Sequence, residues 1–295
     1  MRVLVSGASG FIGTELCRQL RATGHTPLRL VRRETRSADE FRWEPRTLSI
    51  EPGALDGVDA VVNLAGASLS RLPWTPGYRR TILQSRVLST RTLTDAIARA
   101  PQPPRVLVNG SAVGYYGNRP GELLTEDAPA GAGFLAHVAA AWEREANRAA
   151  GDTRVVVVRT GLVLGRGGAL EPLRLIASLG LAGPLGRGDQ HWAWIGHHDE
   201  AAAIVHLLAA SSLSGPVNLV GPTPATADDV VRAMASAMHR PFLLPVPAPL
   251  IRLAMQDAGE DLLLSDQRVS SRTLADDGFH FRDRTPADAV AAPGD

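Results

Sequence analysis

The feature that most constrains this chain lies at its start. A short apolar run, residues 3–6, leads straight into Gly7-Ala8-Ser9-Gly10-Phe11-Ile12-Gly13, and then Leu16, Cys17 and Leu20 recur at helical spacing as far as Gly24. A strand that feeds a helix through glycines at this spacing is the first turn of a dinucleotide-binding βαβ unit. The glycines keep the turn tight and let backbone N–H groups approach a pyrophosphate at the positive end of the helix. The glycine spacing alone is weak in a chain where 29 of 295 residues are glycine. The strand before it and the amphipathic helix after it give it weight.

The same alternation continues. Residues 27–31, 59–66, 105–109 and 153–159 read as buried strands, and 78–99 and 133–149 as helices between them. Strands and helices in this order give an α/β fold, a Rossmann-type doubly wound parallel sheet. After about residue 165 the rhythm loosens into Gly- and Pro-rich loops over 165–190, a helix over 198–210 and a strand over 216–220. Prolines then become frequent. The expected organisation is an NADP-binding Rossmann domain over 1–220 and a smaller C-terminal α+β substrate lobe over 221–295, to which 165–190 contributes.

The end of the second strand carries the cofactor preference. An NAD site places an acid there for the ribose 2′-hydroxyl, whereas this chain has Arg32 and Arg33, with Glu34 just beyond. Two guanidiniums match the oxygens of a 2′-phosphate, so NADP(H) is the expected cofactor.

Composition excludes other readings. Hydrophobic residues make up 44% and charged ones 21%, as in a globular protein. The net charge is +1 and no basic stripe is visible, so no nucleic-acid partner is expected. A single cysteine, Cys17, permits no internal disulfide. The opening residues lack the apolar stretch of a signal peptide or membrane span, which makes the cytoplasm the expected compartment and leaves no membrane partner. All 31 positions counted as lysine or arginine are arginine. That removes P-loop, Schiff-base and lysine general-base chemistry, and the glycine clusters at 165–168 and 183–188 belong to no Walker A loop.

Further motifs follow in order: Asn63-Leu64-Ala65-Gly66, Trp74, Ser85-Arg86, Ser111-Ala-Val-Gly-Tyr115-Tyr116-Gly117, Trp142-Glu143, Arg159-Thr-Gly-Leu-Val163-Leu-Gly165, Gly167-Gly168-Ala-Leu170, Trp194-Ile195, His198-Asp199 and Gly278-Phe279. Together with the first turn they resemble the epimerase family proteins of the atypical extended short-chain dehydrogenase/reductase group, which carry a small C-terminal domain of unknown function. The resemblance spans nearly the whole chain. It implies that the turn Gly7, Ser9, Gly10, Phe11, Ile12 and Gly13, with Arg32, Leu64, Ala65, Gly66, Arg86 and Val163, lines the cofactor.

The wider superfamily completes its reaction with a serine and a Tyr-x-x-x-Lys pair, the lysine lowering the tyrosine pKa. Ser111 sits at the strand end where the serine belongs, but the 133–149 helix has no tyrosine and the chain has no lysine. Arginine supplies the charge yet cannot relay a proton. Tyr115 and Tyr116, in a loop at the carboxyl end of a strand, are the substitute candidates; His137 reads as a solvated or packing histidine. Residues 197–200, His-His-Asp-Glu, match no zinc spacing, so no metal is expected. The 194–199 segment instead resembles the one that closes the substrate cleft in this family. Ser111 also lacks the Gly-x-Ser-x-Gly elbow of a hydrolase.

Two functions remain open. One is an NADP(H)-dependent oxidoreductase or nucleotide-sugar-epimerase-like enzyme without the Tyr-x-x-x-Lys dyad. Its cleft, lined by Ser111, Tyr115, Tyr116, Gln190 and His198, would take an unknown small-molecule substrate. The other is a non-catalytic NADPH-binding sensor. A scaffold indifferent to nucleotide is a third reading.

Overall fold

The computed structural model describes residues 1–149, 151–209 and 211–291. The first half runs β1 (Arg2–Ser6), α1 (Phe11–Ala22), β2 (Thr26–Val31), β3 (Glu40–Glu44), β4 (Ser49–Ile50), β5 (Ala60–Asn63), α2 (Pro76–Arg99) and β6 (Val106–Ala112). It continues through β7 (Leu123–Leu124), α3 (Phe134–Ala146), β8 (Arg154–Thr160), β9 (Leu162–Leu164), α4 (Glu171–Ser178), β10 (Trp194–Gly196), α5 (His197–Ala209) and β11 (Gly215–Leu219). The remainder is α6 (Ala227–Ala237), α7 (Ala248–Met255), α8 (Asp257–Gly259), β12 (Arg268–Val269), α9 (Arg272–Asp276) and α10 (Pro286–Ala291).

Eight strands form one sheet in the order β11-β8-β6-β5-β1-β2-β3-β4. All its pairings are parallel except β3 with β4. Helices cover both faces, which is why the central strands read as unbroken apolar runs. Alternate side chains go to opposite cores. Val3, Val5, Val62, Val108 and Val158 pack with Leu16 and Leu20 of α1 and Ile204 and Leu207 of α5. Leu4, Val61, Leu107 and Val157 pack on the other face with Leu93 and Ile97 of α2. From β1 the chain moves outward to β2 and then back to β5 on the other side. This reversal opens a crevice at the carboxyl ends of β1 and β5, where an open α/β sheet binds its ligand.

The strands β3 and β4 were not expected. Glu40–Glu44 reads EFRWE and carries no apolar run, yet it pairs at the sheet edge. The small lobe is mostly helical, with β12 paired to β7 across the domain junction. Its core joins Leu164, Leu170, Trp192 and Trp194 to Val230, Met234, Ile251 and Ala289, so 164–194 and 225–289 share one interior. The expected helix over 198–210 is α5, and its last expected residue, Ala210, lies outside the described residues, as do 292–295 of the expected lobe.

Candidate cofactor-binding site

The first turn is held in place by close backbone contacts. Gly7 adopts φ +73°, and a Cβ there would lie 2.8 Å from the Leu64 backbone; a Cβ on Gly13 would lie 2.1 Å from the Gly7 carbonyl oxygen. The residues after β5 are thus pressed onto the turn, and α1 is pressed down on it. Gly10 caps the start of α1 without a side chain, and the first turn of the helix holds no acid. Its first N–H groups therefore keep their partial positive charge for a ligand. Ser9 is exposed at the tip, while Phe11, Ile12 and Val163 are half-buried.

Arg86, on α2, reaches the same crevice. A Cβ on Gly66 would lie 3.1 Å from the Arg86 Cζ. Arg86 Nη1 donates to the Ala67 and Ile82 carbonyls, each at 3.2 Å, and its Cζ lies 5.1 Å over the Trp142 ring. It has no ion pair among the described residues. Burial pulls its pKa down to about 10, so it is still charged at neutral pH. Beside it, the Trp142 indole Nε1 is buried without a partner among the described residues. A guanidinium without a counter-ion, set beside a spare buried donor, fits an anionic ligand.

The two arginines after β2 have different environments. Arg33 forks onto Glu40 (Nη1 to Oε2 2.8 Å, Nη2 to Oε1 2.7 Å), and Glu40 also accepts from the Arg36 backbone N–H at 2.8 Å. The Arg33 guanidinium holds the Glu40 carboxyl down at about 2. Arg33, expected to serve the cofactor, is paired with Glu40 and also donates from Nη1 to the Glu34 carbonyl at 2.8 Å. The Arg32 guanidinium is exposed and makes no hydrogen bond or ion pair among the described residues.

Two of the three expected catalytic residues, Ser111 and Tyr116, lie in one buried hydrogen-bond network. Ser111 Oγ donates to Glu143 Oε1 at 2.7 Å, and Glu143 accepts from Arg159 Nε at 2.9 Å and Nη2 at 3.0 Å. Arg159 Nη1 donates to the Tyr116 hydroxyl oxygen at 3.0 Å, and that hydroxyl donates to Asn218 Oδ1 at 2.7 Å. Ser111 and Arg159 are ladder partners, so they share the face covered by α3. Ser111 is 5% exposed and Tyr116 not at all, and burial pushes the Tyr116 hydroxyl pKa up. Both are committed to a buried network. One and two turns before Glu143, the same face of α3 carries Ala139 and Leu135, and Leu135 packs on Gly114. Tyr115 is the third of them. It is half-buried, lies 3.7 Å from the Arg159 Cζ, and its hydroxyl makes no hydrogen bond among the described residues.

The two cleft residues also have structural partners. Gln190 is 4% exposed, and its Nε2 donates to the Leu185 and Leu263 carbonyls at 2.9 Å each. It borders a cavity of about 200 Å³ with Asn118, Arg187, Arg252 and Asp266. His198 contacts Asp199 at 3.4 Å, and Asp199 accepts from the backbone of Arg282 and Asp283. The His198 carbonyl accepts from Gln19 Nε2 at 3.0 Å, which ties the start of α5 to α1. His137 is exposed. Among the described residues no group of His, Cys, Asp and Glu could hold a metal, and no helix is long and apolar enough to cross a membrane.

One buried acid escaped sequence reading. Glu200 is fully buried in the first turn of α5, its Oε1 accepts from Thr160 Oγ1 at 2.7 Å, and its Oε2 has no partner among the described residues. Burial pushes its pKa up from 4.5 to about 8. Between those values the folded chain holds a proton that the unfolded chain has released, so this group makes stability fall as pH rises through that window. Glu200→Gln is expected to flatten the fall and to raise stability at pH 9. Equal slopes for both proteins, measured by urea unfolding from pH 5 to 9, would refute this.

These residues stand on a chain whose segment 3–221 matches the NAD dependent epimerase/dehydratase family, and whose segment 246–292 matches a domain of unknown function, DUF1731. The chain belongs to the NAD dependent epimerase/dehydratase family. An epimerase family protein of Mycobacterium bovis is 39% identical over 290 residues, covering 98% of this chain and 96% of that protein. Human epimerase family protein SDR39U1 is 36% identical over 280 residues, 93% of this chain and 94% of that protein. The crystal structure of human SDR39U1 with NADPH matches with a TM-score of 0.91 at 33% identity, over 99% of this chain and 98% of that one. Thermus thermophilus UDP-glucose 4-epimerase, in complex with NAD, matches with a TM-score of 0.76 at 22% identity over 98% of each chain, a likeness of fold alone. The resemblance read from the motifs is borne out at the level of family, as is the doubly wound parallel sheet.

Proposed function

We propose that this family member binds NADP(H) across the carboxyl ends of β1 and β5 and acts as an oxidoreductase or epimerase-like enzyme on a small molecule. The cofactor lies in the 1–220 portion and the substrate against the 221–295 lobe. The observation that carries this is Arg86, which lies against Gly66 with no ion pair among the described residues, together with the uncapped start of α1. The NADPH in the human SDR39U1 crystal structure supports the same reading. The α1 N–H groups and Arg86 hold the pyrophosphate, and Arg32 reads the 2′-phosphate. The nicotinamide supplies a hydride. The chain's own contribution is to position it and to supply a proton, for which Tyr115, its ring stacked with the Arg159 guanidinium, is the candidate.

One observation favours a second reading, a non-catalytic NADPH sensor: Ser111 and Arg159 bond to Glu143, and the Tyr116 hydroxyl bonds to Arg159 and Asn218. The two readings separate in one pair of measurements. NADPH at about 100 times its Kd is expected to stabilise the protein by ~2.7 kcal/mol, and NADH at the same concentration by less. Arg32→Asp is expected to reverse that preference. Equal stabilisation of the wild type by NADH and NADPH would remove the role given to Arg32. NADPH oxidation with a carbonyl panel, lost in Tyr115→Phe, supports the enzyme; binding without turnover supports the sensor.

A further inference from the structure

The connection between β9 and α4 is seated on a single aromatic ring. A Cβ on Gly165, Gly167 or Gly168 would lie 3.0, 3.1 or 2.7 Å from ring atoms of Phe11. Gly167 and Gly168 also hold φ of +129° and +76°, which L side chains rarely adopt. Phe11 is itself fixed: its ring stacks on His197 at 3.9 Å with 3° between the planes, and its carbonyl accepts from His197 Nε2 at 2.8 Å. Phe11 is also the first residue of α1. Close backbone contact therefore lays this glycine strap beside the start of the helix, and within 165–168 the one residue that is not glycine is Arg166.

The Arg166 guanidinium is exposed and makes no hydrogen bond or ion pair among the described residues. Its flanking glycines pack on Phe11, the first residue of a helix with no capping side chain and no acid in its first turn, and across the glycine turn, whose Gly7 packs on Leu64, Arg86 lies against Gly66. Cations at a helix N-terminus are disfavoured unless an anion lies between them. We propose that Arg166 is a second arginine ligand of the dinucleotide pyrophosphate, closing from the strap on the anion that α1 and Arg86 hold from the sheet side. This rests on the cofactor reading above. The pyrophosphate is common to both dinucleotides, so this contact does not distinguish NADPH from NADH, whereas Arg32 does.

The test is a titration of wild type, Arg166→Ala, Arg166→Lys and Arg32→Ala with NADPH and with NADH, with dissociation rates by stopped flow. Arg166→Ala is expected to weaken both nucleotides by the same factor, about tenfold, chiefly through faster dissociation. Arg166→Lys should recover part of the loss, because it restores the charge without the planar fork. Arg32→Ala should weaken NADPH alone. The nucleotide-free unfolding temperature of Arg166→Ala should equal that of wild type. Unchanged affinities in Arg166→Ala, or a loss confined to NADPH, overturn the assignment while leaving the cofactor reading intact. A wild type that binds neither nucleotide overturns both.

Discussion

Replacing Glu143 with alanine is expected to lower stability by about 3–5 kcal/mol, the cost of leaving a buried cation without its partner. Arg159 is 3% exposed, and burial works against its charge, but the Glu143 carboxylate overrides this and holds its pKa above the usual arginine value. The substitution strands that guanidinium and frees the Ser111 hydroxyl as well. For a chain of this size the fall in Tm is on the order of 10 °C, read by calorimetry. Glu143→Gln should cost less, since the amide keeps the shape and one acceptor oxygen. A loss below 1 kcal/mol in Glu143→Ala would show that water or a neighbouring acid replaces the carboxylate, and the account of Ser111 as a structural residue would fail with it.

Arg86→Met should act in the opposite sense on two readouts. Without nucleotide the variant should be as stable as wild type or more so, because it replaces a desolvated cation by an apolar side chain of similar length. Its NADPH affinity should fall by about a hundredfold, in line with the 2–5 kcal/mol typical of losing one partner of a buried charged pair. Ordinary destabilisation would lower both Tm and affinity, so a rise in one against a fall in the other identifies an anion site. Wild-type affinity in Arg86→Met would place the pyrophosphate elsewhere.

The parts of this molecule legible in its sequence are those set by local pattern. The run from Val3 into the glycine turn, and the buried strands Ala60–Asn63 and Arg154–Thr160, follow from apolar continuity and turn chemistry. The partners of polar side chains did not follow. Glu143 lies 32 residues from Ser111, and no spacing rule connects a strand end to the third turn of a later helix. Arg33 and Arg32 are equivalent as letters; only the edge strand β3, hidden in EFRWE, brings Glu40 to one and not the other. Tyr115 and Tyr116 are adjacent on a 3₁₀ turn, and which of them turns inward depends on Asn218, about a hundred residues later. Gln190 and His198 are expected together as lining of one cleft, yet one is tied to the Leu263 carbonyl and the other to α1.

The shared interior of the small lobe has a kinetic consequence. Leu164, Leu170, Trp192 and Trp194 find their partners in 225–289, so this core cannot close while those residues are still unsynthesised. During translation the Rossmann strands through β8 are complete well before then, whereas two tryptophans and their apolar neighbours wait unpaired. A chain cut near residue 221 would leave that surface permanently uncovered. Such a fragment should aggregate as it is made, although it would retain the whole of the first βαβ turn.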